Sequence, residues 1–128
     1  MEVPISELID RMTIIKLKIE RVGEPHLKRD FEEHKKSLQE YRKRKIKIKN
    51  EWFDKLYEIN RGIWDLDFGI RDLVHKNVKK ISKEEYKKIG RDSLAILNLM
   101  KERVAIKNKI VEETGIGFRE IKVDHGSA

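Results

Sequence analysis

The chain of 128 residues has no cysteine, only two prolines, and aromatic residues at just 7% of its length. Without cysteine it can form neither a disulfide nor a thiolate metal site. No apolar stretch approaches membrane-spanning length, and the N-terminus lacks the apolar core of a signal peptide. We therefore expect a cytoplasmic protein without a membrane span, a cofactor or a metal site.

Charge is what the chain has in abundance. Charged residues make up 41% of it, the formal net charge is +7, and the mean hydropathy is −0.69. A compact core would be thin at this composition, whereas long helices that pack in pairs need fewer apolar residues. The positive excess suits an anionic partner, but it also suits lysines that only maintain solubility.

The apolar residues recur in steps of three and four, which is typical of helices that pack along a seam. We predict an all-α fold in one domain, an elongated antiparallel bundle of three main helices with a short irregular C-terminal tail. The predicted helices cover residues 5–22, 26–76 and 82–114, and the predicted tail covers 115–128.

Local signals set these boundaries. Gly23-Glu24-Pro25 separates the first two helices, and the sequence from Ser82 to Glu85 is a capping box at the start of the third. Gly115 is a natural stop for that helix. A helix of fifty residues would span about 75 Å. We therefore expect the long second helix to bend or break near Lys49–Asn50.

The second helix carries two faces that favour burial. Its apolar seam consists of Trp52, Leu56, Ile59, Ile63, Leu66, Ile70 and Leu73. A different stripe, at steps of four, three and four residues, consists of Asn60, Trp64, Asp67 and Arg71. That spacing puts all four on one helix face. A surface helix normally buries one stripe, so we expect something to cover the second.

The first helix shows the same arrangement. Its seam consists of Ile5, Leu8, Met12, Ile15, Ile19 and Val22, and its second stripe consists of Asp10, Ile14, Leu17 and Arg21. Asp and Arg on facing helices could satisfy each other, which would make the stripes a polar seam of the bundle. Alternatively, the stripes line a ligand site.

The third helix has a charge beside its seam of Ile89, Ser93, Ile96, Leu97, Met100, Val104 and Val111. Lys107 projects into this seam, one turn after Arg103. A buried charge is costly unless it is paired, so one interpretation is an anion site with Asp67 or Asp10 as partner. The other is a lysine whose stem covers the core while its ammonium reaches water. The candidate residues for a polar seam or anion site are Asp10, Arg21, Asn60, Trp64, Asp67, Arg71, Arg103 and Lys107.

A run of positive charge lies in the middle of the chain. The candidate phosphate contacts in it are Arg42, Lys43, Arg44, Lys45, Lys47 and Lys49. They could bind phosphates without reading sequence. Alternatively, the run is a solvated bend with Ile46 and Ile48 turned inward. No helix-turn-helix, zinc-finger or single-strand-binding motif accompanies it, so nucleic acid is not the favoured partner.

Residue types used in catalysis and metal binding form no recognisable pattern. His26, His34, His75 and His125 lack metal-ligand spacing. There is no Ser/His/Asp arrangement and no glycine-rich phosphate loop. The sequence predicts no catalytic residue, and it leans against an enzyme without excluding one.

An ordered set of residues carries a resemblance to a known family. The first helix contributes Glu7-Leu8-Ile9-Asp10, Thr13-Ile14, Lys18 and Glu20-Arg21-Val22. The second contributes Asn60, Ile63-Trp64, Leu66, Asp67 and Ile70-Arg71. The third helix and the tail contribute Arg103, Ala105-Ile106-Lys107, Gly115, Glu120 and Lys122. This set resembles a bacterial family of domains of unknown function, numbered 6165, which has the pattern N-x-x-L-W-x-I-E-D-x-I-R.

The chain departs from that family in three places. Its start before Glu7 is shorter, Phe68 stands in place of an acidic residue, and the segment between Lys76 and Ile89 does not match. These departures put the loop geometry in doubt more than the fold. The family has no established activity, so the resemblance implies a helical fold and leaves function open.

A weaker resemblance links the segment from Leu94 to Lys107 to helical chorismate mutases, small dimers that bind a dicarboxylate between helices through Arg and Lys. That family places an Arg and a Lys eleven residues apart. Here the residues eleven after Arg103 and Arg21 are Thr114 and Glu32, so the pattern fails.

Together these observations favour a homo-oligomeric helical bundle that acts as a binding or scaffolding module. Helices with two faces that favour burial, in so short a chain, suggest that some of these faces are buried between subunits. The first alternative is a helical bundle that binds a small anion, which could be an enzyme of chorismate-mutase-like type. The second is non-specific nucleic-acid binding through residues 42–49.

Overall fold

The structure is a computed structural model that describes residues 2–77 and 80–118, apart from the side chains of residues 76 and 77. The described part is all-α and contains no strand. Its helices are α1 (Ile5–Arg21), α2 (His26–Lys43), α3 (Asn50–Asn77) and α4 (Lys83–Thr114). The all-α prediction is confirmed, but the prediction of three helices is wrong because the long second one is two separate helices.

A loop over residues 44–49 divides the predicted second helix into α2 and α3. Lys45 adopts a left-handed backbone with φ 61°, which an α-helix cannot continue through. Ile46 and Ile48, two residues apart, both pack against the core, a spacing that suits an extended segment. The break expected near Lys49–Asn50 therefore coincides with the start of α3.

The ends of α4 follow the local signals in the sequence. The Ser82 side chain accepts a hydrogen bond from the Glu85 backbone N–H, and the Glu85 carboxylate accepts one from the Ser82 N–H. Gly115 ends the helix in the left-handed conformation with φ 70°, which costs glycine little. Residues 116–118 form no helix, and the rest of the predicted tail lies outside the described residues.

The core lies where α1 meets the other three helices. α1 packs against α2, α3 and α4, while α3 and α4 pack against each other along their length. The buried cluster consists of Ile5, Leu8, Ile9, Met12, Leu38, Tyr41, Trp52, Leu56 and Ile110. Because α1 is surrounded, residues on both of its faces are buried.

Burial along α1 differs in part from its predicted seam. Ile5, Leu8 and Met12 are buried as expected, but Val22 at the end is 54% exposed. Leu17, from the second stripe, is instead fully buried. A central helix packs against neighbours on several sides, so a single seam does not describe it.

α3 and α4 form an antiparallel hairpin that extends beyond α1. At 1.5 Å per residue, the 17 residues of α1 span about 25 Å, whereas the 32 residues of α4 span about 48 Å. We call residues 50–63 and 101–114 the inner half of the hairpin, and residues 64–75 and 83–100 the outer half. The packed core lies against the inner half.

Candidate functional site

The carboxylate of Asp10, on α1, is the centre of a polar cluster between α1, α3 and α4. It is 2% exposed. Arg103 on α4 donates to it with Nε at 3.0 Å and also with Nη2. Asn60 on α3 donates to the same carboxylate with Nδ2 at 2.9 Å. One buried acid therefore connects three helices.

Thr13 completes this part of the cluster. Its hydroxyl donates to the Asp10 backbone carbonyl at 2.6 Å and accepts a hydrogen bond from Asn60 Nδ2 at 2.8 Å. Thr13 is fully buried. A buried hydroxyl with both a donor and an acceptor partner avoids the cost of an unsatisfied polar group.

Lys107 enters the cluster from the next turn of α4. Its side chain is 8% exposed, and its Nζ lies 2.5 Å from the Glu7 carboxylate and 4.0 Å from that of Asp10. The interpretation in which this ammonium reaches water is therefore wrong, because the two acids of α1 hold it inside. Asp67 is not its partner, whereas Asp10 is.

The cluster is compensated within itself. Asp10 and Glu7 supply two negative charges, and Arg103 and Lys107 supply two positive ones. Buried pairs of this kind are weak evidence for net stability, but removing one partner leaves a buried charge uncompensated and is strongly destabilising. The hydrogen bonds and ion pairs of the cluster connect α1, α3 and α4 and fix their relative positions. Because the groups of the cluster already bind one another, its role is structural.

The other predicted residues lie apart from Asp10. Arg21, at the end of α1, lies 2.5 Å from the Asp65 carboxylate, and its guanidinium stacks over the Trp64 ring at 5.7 Å. Arg21 therefore fastens the end of α1 to the middle of α3. Asp67 and Arg71 pair with each other at 2.7 Å within α3, with side chains 47% and 70% exposed.

A groove of about 480 Å³ opens beside the end of α1. Its walls are mainly apolar, and four polar side chains complete them. The lining residues are Ile14, Leu17, Asn60, Ile63, Trp64, Asp67, Phe68, Arg71, Ile96 and Arg103. Five of the eight candidate residues line the groove. Asp10 and Arg21 lie behind this lining, since Asp10 pairs with Arg103 and the Arg21 guanidinium stacks over the Trp64 ring.

Lys107 does not line this groove. It borders a smaller cavity of about 150 Å³ near Glu7 and Phe118. The eight candidates for a polar seam or anion site are therefore not assembled as one site, since Lys107 lies outside the groove that Arg71 and Arg103 line. Arg71 and Arg103 face the groove with their charges balanced by Asp67 and Asp10.

The polar stripe of α3 changes its surroundings along its length. Asn60 is buried under α1, Trp64 and Asp67 are half-buried, and Arg71 is exposed. The change occurs where α1 ends. The same face of α3 is thus covered in the inner half of the hairpin and uncovered in the outer half.

The seam of α4 shows the same change. Lys107 and Val111 are buried against α1, whereas Leu97 and Met100, which lie on the same side of α4 nearer its start, are 55% and 45% exposed. The predicted burial of Leu97 and Met100 in the seam is wrong within the chain, because α1 does not reach them. Both helices of the hairpin therefore lose their cover at the same level.

Large exposed apolar side chains gather in the outer half. They are Phe68, Tyr86, Leu94, Leu97 and Met100, and those found elsewhere in the described part are Val22 and Phe118. Single exposed apolar residues are ordinary, but a grouped patch marks a site of interaction. We call the groove together with Leu97 and Met100 the outer face.

The basic run covers the end of α2 and the loop between α2 and α3, and some of its cations form ion pairs. Lys43 pairs with Glu40, Arg44 with Glu2, and Lys49 with Glu113. Arg42, Lys45 and Lys47 are exposed and make no ion pair within the described residues. Ile46 and Ile48 pack inward, so the loop is anchored by two isoleucines, with its cations outside.

Two electrostatic effects accompany these contacts. The hydrogen bond from Lys49 lowers the pKa of the Glu113 carboxyl below its ordinary value, and the same bond raises the pKa of Lys49. Burial raises the pKa of Tyr41, helped by the neighbouring carboxylate of Glu2. The first contact connects the loop over residues 44–49 to the end of α4, and the second lies between α2 and the start of the chain.

The described histidines form no metal site. Within the described ranges no group of three or more His, Asp or Glu side chains is placed to hold a metal ion. His34 is half-buried on α2, and its Nδ1 lies 2.8 Å from the Asp30 carbonyl oxygen. His125 lies outside the described residues, as do Glu120 and Lys122 from the resemblance.

Glu7 and Thr13 are the cluster members that the sequence analysis missed. Glu7 lies three residues before Asp10, so extending the Asp10, Ile14, Leu17 and Arg21 stripe by one turn would have included it. Thr13 gives no such signal, because a threonine within a helix usually bonds only to its own backbone.

None of the helices in the part of the chain that the structure describes is long and apolar enough to cross a membrane. Comparisons of the chain with protein-family models, with curated proteins and with solved structures give no match. The resemblance to the family of unknown function, and the weaker one to chorismate mutases, therefore stay predictions.

Proposed function

We propose that the protein is a self-associating helical module in which the outer faces of two copies cover each other. The observation that carries this proposal is the shared loss of cover on α3 and α4 where α1 ends. On the inner half, α1 fills this side of the hairpin. On the outer half, the same stripes continue, and no other helix of the described part covers them.

A second copy is the occupant that best fits this face. The outer face lies on a pair of antiparallel helices, which can pack against another helix pair. The same hairpin of a second copy would complete a four-helix arrangement. Two-fold pairing lets one apolar patch serve both sides of the interface. The outer half also has both signs of charge, in Asp67 and Arg71, so a self-complementary arrangement can pair them between copies.

The energetic scale is sufficient for association. Fully burying one large apolar side chain contributes about 1.5–3 kcal/mol, and Phe68, Leu97 and Met100 are each about half to two-thirds exposed. Several such side chains per copy can offset the cost of immobilising two molecules, which is about 4–15 kcal/mol. A small-anion site has less support, since acids already balance the arginines of the groove.

Light scattering coupled to size exclusion tests the proposal. The wild-type chain should elute with a mass that is a multiple of 15.3 kDa. Trp64→Ala combined with Arg71→Ala should reduce that mass while circular dichroism shows most of the helicity retained. Both substitutions alter the outer face and leave the Asp10 cluster intact.

The matched control is Phe118→Ala combined with Arg42→Ala. It also removes one aromatic ring and one exposed guanidinium, but both lie outside the outer face. The control should keep the wild-type mass. A wild-type chain that elutes at 15.3 kDa, or a Trp64/Arg71 variant with unchanged mass, would contradict self-association through this face.

A further inference from the structure

The net charge of the protein is concentrated in one stretch. Residues 26–49, which are α2 and the following loop, contain ten Lys and Arg and four Asp and Glu, a net charge of +6 out of +7 for the whole chain. The other residues are close to electrically balanced. The positive field of the protein therefore comes mainly from one edge of the fold.

On α2 the cations form a regular pattern. Three adjacent pairs recur every seven residues, at Lys28-Arg29, Lys35-Lys36 and Arg42-Lys43. Seven residues are nearly two helical turns, so the pairs share one face at intervals of about 10.5 Å. All six side chains are exposed. Lys45 and Lys47 continue the positive surface into the loop.

The opposite side of α2 is already occupied. Leu27, Leu38 and Tyr41 are buried, and the Phe31 ring meets Phe53 of α3 edge-on with centroids 6.5 Å apart. This packing fixes the helix with its cation pairs facing outward. We call the six paired cations with Lys45 and Lys47 the basic face.

We propose that the basic face binds the phosphate backbone of a nucleic-acid duplex. This inference is independent of self-association, because the basic face and the outer face share no residue. Cations spaced along about 22 Å of helix can follow a polyanion, which releases its counterions and gains affinity. Because contacts to phosphates carry no sequence information, binding through this face should be independent of sequence.

A lipid surface fits this face less well than a nucleic acid does. Helices that bind a bilayer insert an apolar face beside their cations. The apolar residues of α2 lie in the core, and the large exposed apolar side chains of the described part lie just after α1, on α3 and α4, and beyond α4. The basic face therefore offers charge alone, which suits a phosphate backbone.

Acidic residues adjoin the basic face, and one of them, Glu40, is paired with Lys43. Glu32 is exposed one turn after Lys28 and one turn before Lys36, and within the described residues it has no ion-pair partner. Its carboxylate should repel a phosphate backbone. Glu32→Gln removes that repulsion, so it should strengthen binding, an effect that loss of folding cannot imitate.

Fluorescence anisotropy of the full chain with a labelled random-sequence DNA duplex, repeated over a range of salt concentrations, tests the proposal. Lys35→Ala with Lys36→Ala should weaken binding about tenfold at about 0.1 M salt and reduce the salt slope by up to about 1.8, since each phosphate contact contributes about 0.9. Glu32→Gln should bind more tightly than the wild type.

The matched control is Lys55→Ala with Lys109→Ala. It removes the same charge from exposed positions on α3 and α4 and should change affinity less than twofold. Equal losses in the two double variants would mean that net charge, and not the basic face, attracts the duplex. That result, absence of binding at low salt, or binding to anionic lipid vesicles without binding to the duplex would each overturn the proposal.

Discussion

The inner and outer halves of the α3–α4 hairpin carry similar side-chain patterns in different surroundings. In the inner half, Asp10 of α1 meets Arg103 in a buried contact among three helices. In the outer half, Asp67 pairs with Arg71 within one helix, where Asp67 is half-buried and Arg71 is exposed to solvent. An Asp–Arg pair is thus a structural centre in one half and a surface feature in the other, and the difference is whether a third helix covers it.

The halves also differ in their apolar residues. Leu56 in the inner half is fully buried, whereas Leu97 in the outer half is 55% exposed. The stripe on α4 is continuous in sequence, from Leu97 through Val104 to Val111. Sequence periodicity therefore indicates which face of a helix favours burial. The length of α1 decides how much of that face is covered within the chain.

The largest expected difference between the halves is in how much stability each loses when an aspartate is removed. Asp10→Ala should lower the free energy of unfolding by about 3–5 kcal/mol, because the part-buried Arg103 would lose its carboxylate partner and the buried Lys107 would keep only Glu7. Asp67→Ala should cost less than about 1 kcal/mol, since exposed ion pairs contribute little. Urea denaturation of both variants measures the difference. Similar losses would mean that the two pairs are not in different environments.

A pair of leucine substitutions makes the same comparison for apolar packing. Leu56→Ala should destabilise the chain by about 2–5 kcal/mol through the cavity it leaves. Leu97→Ala should cost less than about 1 kcal/mol at protein concentrations low enough to keep the chain monomeric, because much of that side chain is already in water. Thermal or urea unfolding distinguishes them. A large loss for Leu97→Ala in the monomer would show that the outer half is covered by the chain itself.

The smallest expected effect is the pH dependence of stability that the contact between Lys49 and Glu113 produces. Lys49 lowers the pKa of Glu113 below its ordinary 4.5, so the pair stabilises the fold above that pH and loses its effect as pH falls through the lowered pKa. Glu113→Gln should therefore reduce stability slightly at pH 7 and not at all in strong acid. Glu102→Gln, on an exposed site of the same helix, is the control. A Glu113→Gln penalty that persists in strong acid would contradict the assignment.

Much of the fold follows from local sequence signals. The capping box at Ser82 and the stop at Gly115 act through neighbouring backbone groups, so the sequence contains all the information they need. The division of the second helix was harder to place, since residues 44–49 contain neither proline nor glycine. The loop depends on Ile46 and Ile48 reaching the core, which is a tertiary contact.

Four residues of the candidate site were predictable from the sequence, but their grouping was not. Asp10, Asn60, Arg103 and Lys107 meet at one place, and spacing alone had marked each of them as unusual. Spacing within a helix cannot say which neighbouring helix a residue faces. That is why Lys107 was grouped with Arg71, although it turns instead to Glu7 on the other side of Asp10.

Amide hydrogen exchange, followed by mass spectrometry over a wide range of protein concentration, tests the central claim most directly. If a second copy covers the outer half, protection of residues 64–75 and 86–100 should rise with concentration, while protection of residues 5–21 stays constant. Exchange in the outer half that does not change with concentration would contradict the claim.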